Sequence, residues 1–103
     1  MRCLAIVRFP APAGLSGPKL RAVLEDAVPR YQDLPGLHRK YFAGNDAHGG
    51  GVYEWDSRER AQAFYNATWR ERLRTVYGAV PEVEFFDVHA LVDNDAHMAT
   101  VDV

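Results

Sequence analysis

The sequence predicts a small α+β domain, built as an antiparallel sheet with helices on one face. Three observations lead there. Four short clusters rich in apolar and β-branched residues read as strands. Two longer stretches repeat apolar residues at helical spacing. Gly, Pro and Asn clusters separate these segments. The 103 residues suit one domain spanning 1–103. A chain this short buries a modest share of its surface, so a partner subunit would add stability.

Residues 3–9 are nearly all apolar and read as a central strand covered on both faces. Pro10 to Gly17 is a loop, and Ser16-Gly17-Pro18 opens a helix with Pro near its first position. Leu20, Val23, Leu24, Ala27, Val28 and Tyr31 form one stripe on that helix, which Pro29 should kink or end. Leu37 to Phe42 is a second strand, residues 45–50 a loop, and Gly51 to Trp55 a third strand completing a hairpin. Asp56 with Glu59 fits a capping box for a second helix, with a stripe of Ala61, Phe64, Tyr65 and Thr68. Thr68 with Glu71 fits another, so the helix is expected to break and restart there, carrying Trp69, Leu73, Val76 and Tyr77 to Gly78. Val83 to Val92 reads as the last strand, and residues 93–103 as a polar tail that turns β-like at Met98. The order β-α-β-β-α-β is that of the ferredoxin-like split βαβ motif.

On the last strand Val83, Phe85 and Leu91 point one way, while Phe86, Val88, Ala90 and Val92 point the other. Helices can cover only one face. A second subunit, a loop or the tail must cover the other, and a homodimer is the expectation.

A formal net charge of -2 gives no electrostatic reason to expect nucleic acid or an anionic membrane. No apolar run approaches the roughly 20 residues that span a bilayer, and the apolar run at the N-terminus stops at Arg8. With the lone Cys3, which can form no internal disulfide, this leads to the expectation of a cytoplasmic protein. The sequon Asn66-Ala67-Thr68 then has no meaning.

Several segments together carry a likeness. Pro35-Gly36-Leu37-His38-Arg39-Lys40-Tyr41-Phe42 resembles the second strand of monooxygenases in the dimeric α/β-barrel, antibiotic-biosynthesis-monooxygenase-like superfamily. Residues 50–57 resemble their third strand and helix cap, and Ala63-Phe64-Tyr65, Trp69-Arg70-Glu71-Arg72 and Phe86-Asp87-Val88 continue the likeness across most of residues 3–92. The resemblance implies a ferredoxin-like subunit whose sheet closes a barrel with that of a second copy. It also implies a reaction: oxygenation of phenols or anthrones without metal or flavin. Other members degrade haem or bind small molecules, so the likeness bears on fold more than on reaction.

Oxygenation without a cofactor needs an apolar pocket, a proton acceptor and donors for the resulting anion. Tyr53 and Trp55 share a strand face, and Tyr65 and Trp69 stand four apart on the helical stretch. The four are the candidate substrate-binding residues, with ordinary core packing as the alternative. His38 and His89 are the candidate catalytic bases, because imidazole titrates near neutral pH. They fall on the two edge strands, roughly 14 Å apart at about 4.8 Å per strand step, so each would act alone or across the dimer.

Arg8 and Asp87 are expected to pair between neighbouring strands, and Arg39, Lys40 and Glu54 to be solvated or at the subunit interface. The arginines from Arg58 to Arg74 read as a solvated helix face. No cofactor and no metal are expected: Asp93, Asp95 and His97 read as tail, Gly49-Gly50-Gly51 as a turn, and Cys3 as a buried small residue. Three functions follow: a cofactor-independent monooxygenase acting on an aromatic or polycyclic molecule, a non-catalytic dimer binding a small apolar molecule, and haem binding through one histidine.

Overall fold

The computed structural model describes residues 1–103 and contains six strands and three helices. In chain order these are β1 (Cys3–Pro10), α1 (Gly17–Tyr31), β2 (Leu37–Gly44), β3 (His48–Trp55), α2 (Arg58–Phe64), α3 (Ala67–Tyr77), β4 (Glu82–Asp87), β5 (Ala90–Asp93) and β6 (Met98–Val101). The first four-stranded sheet has the order β2-β3-β1-β4, antiparallel throughout, which is compatible with a ferredoxin-like arrangement. No helix is long and apolar enough to cross a membrane.

Alternation along β1 sets the layers. Cys3, Ala5, Val7 and Phe9 are buried on the helix side, while Leu4, Ile6 and Arg8 face the other way. The register puts Tyr53, Trp55, Val83 and Phe85 on the helix side with them. The core is closed by Ala61 of α2, Tyr65 in the link that follows it, and Trp69 and Leu73 of α3. Of α1 only Ala27 is buried, so this helix lies loosely over the sheet.

Local chemistry moves several boundaries. Ser57, not Asp56, caps α2, its Oγ accepting from the Arg60 amide at 3.2 Å; Asp56 instead pairs with Arg60. Asn66, not Thr68, caps α3, its Oδ1 accepting from the Trp69 amide at 2.9 Å. The glycine triplet is not a turn but part of β3. The turn is tighter, at residues 45–47, where Asn45 Oδ1 accepts from the amides of Ala47 and His48 at 2.9 and 2.8 Å. Pro29 lies within α1, which ends two residues later at Tyr31.

The expected last strand is two strands. β4 stops at Asp87, and the chain turns through Val88 and His89 into β5. The segment expected as a tail then supplies β6, which pairs with β5 in a separate two-stranded sheet. This hairpin leaves from the β4 edge and reaches across the open sheet face to the opposite edge, where Asp93 meets Arg39 on β2 at 3.0 Å. Arg39 also bonds Glu54 at 3.4 Å, and Arg2 holds the other oxygen of that buried carboxylate. Arg39 and Glu54 are thus tied into a network rather than free in solvent. The pairing of Arg8 with Asp87 does not form: Arg8 lies opposite Glu82 on the open face, and Asp87 takes Arg58 at 3.1 Å.

Candidate functional site

Beneath α1 the loose packing leaves a cavity of about 370 Å³. Val7, Phe9 and Tyr53 of the sheet form its floor, with Lys40 and Phe42 of β2 at one side. α1 roofs it with Val23, Asp26, Ala27, Arg30 and Tyr31, and α3 walls it with Arg72, Leu73, Val76 and Tyr77. The lining is mainly apolar with a few polar groups, as small-molecule sites usually are. A second cavity of about 450 Å³ opens beside it beyond the stacked rings of Phe9 and Tyr77, toward the 45–48 turn.

Beside the floor, glycines of β3 let the neighbouring strands approach closely. Gly50 has φ +142°, and a Cβ there would fall 1.9 Å from the Val7 carbonyl oxygen. A Cβ on Gly51 would fall 2.2 Å from the Tyr41 carbonyl oxygen and 3.5 Å from Lys40 Nζ. Lys40 extends into this space because it shares a strand face with Phe42 and lies opposite Tyr53. Its ammonium sits 3.8 Å from the ring centres of Phe42 and Tyr53 and 4.4 Å from that of Tyr31. It makes no ion pair. Burial without a counter-charge lowers its pKa to about 7, while the three ring faces favour the charged form. Lys40, expected in solvent or at the subunit interface, is instead the one amine in the cavity.

Of the four aromatics expected to form the pocket, Tyr53 reaches the cavity floor. Trp55, Tyr65 and Trp69 lie deeper, between sheet and helices, and do not line it. Their polar atoms are already engaged: Trp55 Nε1 donates to Tyr65 Oη at 3.0 Å, and Trp69 Nε1 to Tyr31 Oη at 3.2 Å. Edge-to-face contacts of 5.3 Å between Tyr53 and Tyr65 and 4.7 Å between Tyr65 and Trp69 make them one packed cluster. Burial raises the pKa of Tyr53 and Tyr65, so both phenols keep their protons and serve as donors or acceptors rather than bases.

Both histidines lie outside these walls. His38 is the extra residue where the β2–β3 register shifts between Leu37 and Arg39, and it is exposed. His89 is exposed in the link between β4 and β5, its carbonyl accepting from the Asp102 amide at 2.7 Å. Cys3 is fully buried, and its thiol pKa is raised chiefly by that burial, which leaves it inert. Asp93 accepts from the Ala96 amide and from Arg39. No family model matches the chain, and no curated protein matches it in sequence.

Proposed function

We propose that this protein is a homodimer that holds one small, flat, largely apolar molecule between the sheet and helices α1 and α3, and oxygenates it without metal or flavin. The observation that carries the binding part is the apolar cavity under α1, whose volume lies within the roughly 300–1,000 Å³ usual for ligand pockets. The oxygenation part rests on the likeness of the strand and helix segments described above. In such a reaction a phenol supplies its own electrons. One atom of O2 enters the ring as a quinone oxygen, and the other leaves as water with the two hydrogens lost from the ring and the hydroxyl. A proton acceptor is needed at the start.

A second reading, binding without turnover, is favoured by one observation: neither His38 nor His89 lines the cavity. Native mass spectrometry of freshly purified protein, followed by oxygen-electrode assays with the ligand class recovered, separates the two. An adduct that leaves on denaturation, with one O2 consumed per ligand, supports oxygenation. An adduct with no oxygen uptake supports sequestration. Ala27→Phe, which places a ring in the cavity from its roof, is expected to abolish the adduct. An adduct unchanged in that variant refutes the site.

The dimer is supported by surface area. The isolated chain exposes 6908 Å². A folded monomer of this mass is expected to expose about 5,800 Å². The excess is comparable to the roughly 800 Å² that each partner contributes to a standard interface. Tyr41 and Phe86 on the open sheet face are 61% and 42% exposed, beside the half-buried Ile6 and Val52. Closure of a barrel by two such faces would cover them.

A further inference from the structure

We propose that the molecule held in the cavity carries one acidic group, a carboxylate or an ionisable phenol, and that Lys40 receives it at the side of the cavity with Arg72 at the rim. The proposal rests on the reading of the cavity as a small-molecule site and adds the ligand's charge to it.

The argument is one of unbalanced charge. Every ionisable group facing Lys40 can be named. α1 offers Asp26, Arg30 and Tyr31; α3 offers Arg72 and Tyr77; β3 offers Tyr53; and the β1 residues there, Val7 and Phe9, carry no charge. The only carboxylate, Asp26, is bound by Arg30 at 3.1 Å. Arg39, the neighbour of Lys40 in sequence, is engaged by Glu54 and Asp93 on the opposite sheet face. Two cations therefore border an apolar cavity with no anion assigned to them: Lys40, whose Nζ makes no hydrogen bond or ion pair with the protein, and Arg72, which is exposed at the rim and has no ion pair. Aromatic faces partly stabilise an ammonium, but a carboxylate or phenolate in contact does so far better at low polarity. A ligand whose ring lies against Phe42 and Tyr53 would bring its acidic group to Nζ. Toward a phenol, the neutral amine would take the proton and the ammonium so formed would hold the phenolate.

The test compares 2-naphthoate with 2-naphthamide, of nearly equal shape, by isothermal titration calorimetry. Wild type is expected to prefer the acid at least tenfold at pH 6 and to lose most of that preference by pH 9, as Lys40 loses its proton. Lys40→Met should keep no more than the few-fold preference that Arg72 supplies, its retained affinity for the amide showing that the cavity is intact. Lys40→Arg should keep the preference at pH 9. Arg72→Gln should weaken the acid alone, by a few fold. A third probe, 2-naphthol, tells the two acids apart: a phenolate absorption spectrum at pH 7 marks a phenol site, and a neutral absorption spectrum restricts the site to carboxylates. Equal affinity of wild type for acid and amide overturns the inference while leaving the binding site standing, and so does a preference undiminished in Lys40→Met. Failure of wild type to bind any of the three refutes the small-molecule reading, and this inference with it.

Discussion

Lys40 shows how a single side chain can work against the stability of the fold that holds it. Its pKa falls on folding, so between about 7 and the ordinary lysine value the unfolded chain binds more protons than the folded one. Stability therefore rises with pH through that window, and the burial penalty is fully present below about pH 7. Lys40→Met is expected to be more stable than wild type at pH 6, on the order of 2 kcal/mol after the ring faces are allowed for, with the gap closing by pH 10. Urea denaturation at the two pH values checks this; a gap independent of pH would mean that the ammonium is not desolvated. The position was legible in part. Lys40 and Phe42 are two apart on a strand and so share a face, but nothing in the sequence says that this face meets a void rather than water. The histidines mislead for a related reason. Their residue type suits proton transfer, yet His38 falls on a register shift and His89 on a turn, and neither irregularity leaves a mark in apolar periodicity.

At the scale of elements, the strands with clear apolar patterns were readable, and so were the packed residues Ala61, Tyr65, Trp69 and Leu73, whereas of the α1 stripe only Ala27 is buried and Leu20 and Val28 are exposed. The two caps shifted because Ser57 and Asn66 stand next to or near residues that fit the capping pattern equally well. The terminal hairpin was harder to see. β6 is exposed along its whole length, and its pairing with β5 is held by backbone hydrogen bonds that sequence alternation does not report. What docks this hairpin on the sheet is polar: Asp93 with Arg39, and through Arg39 with Glu54. The Asp93 carboxyl is held below the usual carboxylate range, first by the Ala96 amide and then by Arg39. A depressed carboxylate stabilises above its unfolded pKa, and that contribution is lost as pH falls through the folded value. Acidification below the ordinary aspartate range, or Asp93→Asn at neutral pH, is therefore expected to release the hairpin. Amide exchange in residues 90–101 should rise at least tenfold while β1 and β3 stay protected. Uniform exchange across both sheets would show instead that the hairpin and the main sheet unfold together.

At the scale of the whole molecule, the chain is long and thinly filled. Its radius of gyration is 14.6 Å, against about 13 Å for a compact domain of this length. Only 14 of 103 residues are buried, which leaves the chain dependent on further burial. If the open sheet face supplies it, Tyr41→Glu combined with Phe86→Glu should convert a dimer to a monomer in sedimentation experiments, and should make the melting temperature both lower and independent of protein concentration. An unchanged dimer would place the interface elsewhere. The glycines beneath Lys40 carry a consequence for how such a protein can diversify. At Gly50 and Gly51 any larger residue would strike the backbone of a neighbouring strand, so these two positions are closed to substitution. Change in what the cavity accepts falls more readily to the helices, at Val23 and Ala27 in the roof and Val76 in the wall, where a new side chain enters the cavity and leaves the sheet intact.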